Sequence, residues 1–78
     1  MLPPIAIEIA QDYVEAYFDV YMELNAYEAK YLLEGLAEEA LQNIMDEIYV
    51  PPSEMEILSV KVQLYICQQT NVMLSRRD

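Results

Sequence analysis

At 78 residues the chain has room for one domain, near the size at which a single hydrophobic core is barely sufficient. Hydrophobic residues make up 55% of it and glycine occurs once, which excludes a disordered tail and leaves more apolar surface than so small an interior can hold. The formal charge of −10 opposes direct contact with nucleic acid or an anionic membrane, both of which present phosphates, and favours basic proteins as partners.

That charge is uneven. Residues 8 to 56 hold thirteen carboxylates and a single cation, Lys30, whereas Lys61, Arg76 and Arg77 all lie beyond them. Cys67 has no partner for an internal disulfide, and the absence of histidine removes the commonest metal ligand. Both facts suit a reducing compartment. The first residues, MLPPIAIEIA, lack the basic start of a signal peptide, and no apolar run reaches the ~20 residues of a membrane span. The cytoplasm is the expected location.

In chain order, Pro3-Pro4 suits entry to a first helix, because proline is tolerated in a first turn. Glu8, Asp12, Glu15, Asp19 and Glu23 then recur at helical spacing and form one narrow acidic stripe. The rest of this segment is largely apolar, including Ile9, Val14, Phe18, Val20 and Leu24, so its apolar arc exceeds what one short chain can cover. A homodimer is the expectation that follows. Asn25 with Glu28 has the form of a capping box and marks a break after Leu24. In the next segment Leu33, Ala37, Ala40, Ile44 and Ile48 share a face, flanked by Leu36 and Leu41. Gly35 interrupts this pattern, either as a costly helix-interior residue or as a C-cap separating helices at 26–34 and 36–49.

The stretch YVPPSEMEIL (49–58) stops that helix at Pro51-Pro52, and Ser53 with Glu56 predicts a second capping box that starts another. Beyond it, VKVQLYI (60–66) alternates as a strand would. Taken as a helix, its polar residues fall into two opposed stripes, Glu56, Ser59, Gln63 and Thr70 against Glu54, Lys61 and Gln68, with an apolar face on either side. The fold expected is therefore all-α, a single acidic unit of three or four helices that dimerises, with residues 75–78 a frayed tail. The alternative is α+β, with a strand at 60–66.

No catalytic constellation is evident. Adjacent pairs such as Glu38-Glu39 and Asp46-Glu47 diverge by about 100° on a helix and cannot converge on one ion. Glu34 and Glu38 share a face, for which a solvated surface is the simpler account. Calcium-loop, phosphate-loop and nucleophile-elbow spacings are absent. Cys67 lies in an apolar stretch with no nearby cation to activate it. Neither enzyme activity, a metal nor a cofactor is expected.

Two constellations remain. Five like charges in a row, with no lysine between them, repel one another at about 5–6 Å, a cost that a purely structural helix dilutes with cations. Such a row can occupy a groove that otherwise holds a nucleic-acid backbone. Tyr13, Tyr17 and Tyr21 form an i, i+4 ladder pointing away from the stripe, and Tyr27 and Tyr31 repeat the spacing. Tyrosine suits interfaces, offering apolar area with a polar tip, although core packing explains the same ladder. In size and charge alone the chain resembles small acidic proteins of phages and mobile elements that inhibit restriction, CRISPR or transcription machinery. The function expected is inhibition or regulation of a basic, nucleic-acid-binding protein by mimicry. The alternative is a helical adaptor, assembly subunit or small secretion chaperone working through apolar faces.

Overall fold

The computed structural model describes residues 2–76. It contains three helices in chain order, α1 (Pro4–Met22), α2 (Ala26–Glu47) and α3 (Pro52–Ser75), and no strand among the described residues. All three pairs of helices pack against one another in a unit of 40 × 22 × 17 Å. Because each helix packs against both others, each lies in the groove formed by the remaining two.

Small residues permit that close approach. Ala6 and Ala10 of α1 and Ala37 and Ala40 of α2 are buried together with Val14, Leu36, Ile44, Leu58, Val62 and Ile66 in one core. The face foreseen on α2 is the one that packs, with Ala37, Ala40 and Ile44 buried and Leu33, Leu41 and Ile48 half-buried. On α3 the buried line is Leu58, Val62, Ile66 and Thr70, while Val60 and Leu64, which a strand would set on the same face as Val62 and Ile66, are exposed. The strand alternative at 60–66 is thereby overturned. Its alternation arises because Val60 and Leu64 lie on the far side of the helix from Val62 and Ile66. Thr70, assigned to a polar stripe, is instead buried. Its Oγ1 donates to the Ile66 carbonyl at 2.8 Å, satisfying the hydroxyl within the helix.

The helix starts follow two different rules. At Asn25 the full capping box forms. Asn25 Oδ1 accepts from the Glu28 amide at 2.8 Å, and the Glu28 carboxylate accepts from the Asn25 amide at 3.2 Å. Ser53 does not cap α3, contrary to its sequence signature. Pro51 is the N-cap, with ψ 143°, and Pro52 is the first helical residue. The cause is steric, since a residue before proline is driven out of the helical region while proline's own φ suits N1. Pro3-Pro4 opens α1 in the same way, with ψ 151° at Pro3. Asn25→Ala should therefore cost about 0.5–2 kcal/mol of stability, whereas Ser53→Ala should change it by less than about 0.5 kcal/mol. Urea titrations of the two variants check this ordering.

Gly35 is neither a cap nor a break. α2 runs through it, and its φ is not positive. A Cβ built there meets nothing within 4 Å, so Gly35→Ala should stabilise the protein by about 0.5–1 kcal/mol, read as a rise in melting temperature. α1 ends at Met22, two residues before the expected break, and Glu23 is its C-cap. At the other end α3 runs to Ser75 with Arg76 as its C-cap, and the remaining residues of the expected frayed tail, 77 and 78, lie outside the described part.

Candidate functional site

Helix α1 turns two unlike faces outward and inward. Ala6, Ala10 and Val14 anchor it to the core, and the residues near 180° from that line are the acidic ones. Glu8, Asp12, Glu15 and Asp19 are all exposed along the helix, and exposed Glu23 continues the row at the C-cap. No Lys or Arg precedes Lys30, so α1 has no cation of its own to pair with them. Glu15 accepts a hydrogen bond from Gln11 Nε2 at 3.0 Å.

Helix stability does not account for these carboxylates. Acidic residues help a helix in its first turn and basic residues in its last, where they oppose the macrodipole. The first turn of α1 has no acidic residue, its last turn no basic one, and a carboxylate follows at Glu23. From Glu8 to Asp19 the row presents about one charge per 4–6 Å of axis, against one per ~3.4 Å for a single strand of DNA.

The tyrosines divide into two groups. Tyr13 is half-buried against the core, its ring stacked on that of Tyr17 with centroids 6.4 Å apart, and Asn43 Nδ2 donates to its hydroxyl. Tyr21 is also half-buried, stacked on Phe18 and beside a groove lined by Ala29, Leu33 and Cys67. The ladder Tyr13, Tyr17 and Tyr21 thus faces inward, with Tyr17 at its rim. Tyr27 and Tyr31 at the start of α2 are 70% and 60% exposed. Their rings meet edge to face at 5.0 Å and their hydroxyls share a hydrogen bond of 3.2 Å. That bond, with smaller contributions from desolvation and from Glu34, holds the Tyr31 phenol above its ordinary pKa.

Tyr31, Glu34, Glu38 and Gln63 border a groove of about 460 Å³ between α2 and α3, open at Gly35. Cys67 lies in the neighbouring groove. Burial first, and the charge of Glu34 second, push its thiol pKa up. A raised pKa means a smaller thiolate fraction at any pH below it, so Cys67 should react with iodoacetamide more slowly than free cysteine at pH 8. Glu34→Gln should recover part of the rate; a thiol as fast as free cysteine would contradict this environment. Among the described residues no group of three or more Cys, Asp or Glu side chains is arranged to hold a metal ion, and no helix is long and apolar enough to cross a membrane.

A third surface was legible only in part. The two apolar faces expected on α3 both exist, but the bundle covers one of them. Ile57, Val60 and Leu64 are 57%, 52% and 55% exposed, along the line opposite the buried one. Fold and surface thus define a small acidic three-helix protein. Comparison with family models, with curated proteins and with solved structures finds no match to this chain.

Proposed function

We propose that this protein acts by binding, without catalysis, and that it inhibits or regulates a basic, nucleic-acid-handling protein. The acidic outer face of α1 takes the place of a nucleic-acid backbone on that partner. The observation that carries this reading is the uninterrupted exposed row Glu8, Asp12, Glu15, Asp19 and Glu23, placed opposite the core, with Asp19 and Glu23 at the end of the helix where the dipole disfavours a carboxylate. Like charges that repel one another and have no cation within the helix to offset them are accounted for by a basic partner outside it. The exposed carboxylates of α2 add to the same field and would steer a basic surface from a distance.

This function belongs in the cytoplasm, alongside the restriction, CRISPR or transcription machinery that phages and mobile elements need to control, and the working unit is a homodimer. A second reading, a helical adaptor or assembly subunit, draws on the exposed apolar residues of α3 and on Tyr27 and Tyr31. Salt separates the two. Charge mimicry weakens steeply as ionic strength rises and screening shortens to a few ångströms, whereas apolar docking does not. The test is capture of a basic partner from a host lysate, its identification by mass spectrometry, and its elution both by salt and by duplex DNA. A partner displaced by neither would contradict mimicry and favour the adaptor.

A further inference from the structure

We infer that the outer face of α3 is a homodimer interface, in which two copies pair their α3 helices antiparallel through Ile57, Val60 and Leu64. The inference deepens the dimer part of the proposed function and does not depend on the acidic face of α1.

Position is the first argument. Spaced three and four residues apart, these side chains form a stripe down the middle of the solvent side of α3, opposite Leu58, Val62 and Ile66. Isolated exposed apolar residues are ordinary, but a branched aliphatic stripe at seam spacing is the pattern with which one helix meets another. Shallow grooves flank it on the Lys61 side, one of about 340 Å³ beside Leu64 and Tyr65 and one of about 380 Å³ beside Ile57 and Tyr49.

Charge identifies the occupant. In its 24 residues α3 carries Glu54, Glu56 and Lys61, whereas α1 carries four carboxylates with no cation and α2 carries six with Lys30. A basic partner is drawn to α1 and α2, while the nearly neutral side of α3 offers it little. For a second copy of this acidic chain, α3 is the approach of least repulsion.

Orientation follows from the two carboxylates of α3, because Lys61 lies level with its own counterpart in either pairing. A parallel pair would set Glu54 and Glu56 beside their own counterparts. An antiparallel pair centred near Val60 brings Ile57 against Leu64 of the other copy and separates the two Glu54 residues by about 20 Å along the axis, beyond a Debye length of ~8 Å. Each Glu54 and Glu56 then lies along residues 57–75 of the opposite helix, which contain no carboxylate. Centred there, the two helices overlap over residues 52–69, a face of about 27 Å by 10 Å, well below the roughly 800 Å² per partner of a standard interface, so the dimer is a weak, concentration-dependent one.

Sedimentation equilibrium of the full chain across the micromolar range tests this. The expected result is a monomer–dimer equilibrium that tightens as salt is added, because screening relieves repulsion between two acidic chains. That is opposite in sign to the salt effect on capture of a basic partner, so the two readings can fail separately. The double variant Ile57→Gln, Leu64→Gln should weaken dimerisation about a hundredfold, since each change occurs twice across a two-fold axis, with circular dichroism unchanged. The control Tyr17→Ser, Val20→Ser on α1 should leave dimerisation intact. In a Cys67→Ser background, Val60→Cys should cross-link to itself on oxidation and Ile57→Cys should not. A protein monomeric at every concentration, a dimer lost with the α1 control but kept with the α3 variant, or self-linkage of Ile57→Cys would each overturn the proposal.

Discussion

Ile66→Ala is expected to remove about 2–5 kcal/mol of stability, enough to leave the protein partly unfolded at 37 °C. Ile66 is fully buried in the core between α1 and α2, and losing its branched side chain opens a cavity that the surrounding helices close only in part. The total stability of a chain of this length is about 4–12 kcal/mol, so the loss is a large fraction of it. At about 4–8 °C per kcal/mol, the melting temperature should fall by roughly 10 °C or more. Ile57→Ala makes the same chemical change on the same helix, at a position 57% exposed, and should cost less than about 0.5 kcal/mol in dilute solution. Thermal melts followed by circular dichroism compare the two. If they melt together, α3 does not pack through the Leu58–Val62–Ile66 line.

The second large effect is on binding. Conversion of Asp12, Glu15 and Asp19 together to Asn, Gln and Asn should weaken capture of the basic partner at low salt by tenfold or more. The fold should survive, because these exposed carboxylates repel one another and contribute no core contact. A slight rise in melting temperature is the expected accompaniment. The variant should also lose its competition with duplex DNA for that partner.

The helices were legible because their signals are periodic and local. The core line of α2, from Ala37 to Ile44, stands out at helical spacing, and the reciprocal pair Asn25 and Glu28 names the α2 start correctly. The Ser53 and Glu56 pair has the same form and misleads, since Pro51-Pro52 already sets the backbone and puts Ser53 inside the helix. Local hydrogen-bond patterns rank below proline sterics where the two compete. The alternation in 60–66 is a shadow of α3 having two apolar faces, and periodicity alone does not say which of them the bundle uses. For the candidate site, the exposure of the acidic row followed from its spacing. The division of the tyrosines did not, because Tyr13 packs against the core beside Asn43 of α2 whereas Tyr27 faces solvent, and that difference is fixed only by packing.

The most direct test of the acidic face compares two variants of equal net charge. One carries Asp12→Asn, Glu15→Gln and Asp19→Asn on α1; the other carries Glu38→Gln, Glu39→Gln and Asp46→Asn, all exposed on α2. Affinity for the captured basic partner is measured for both at low salt, with the fold checked by circular dichroism. If the row on α1 is the recognition surface, the α1 variant loses binding by tenfold or more while the α2 variant stays within about threefold of the parent, the difference being position and not charge. Equal losses in the two variants, or undiminished binding by the α1 variant, would contradict it.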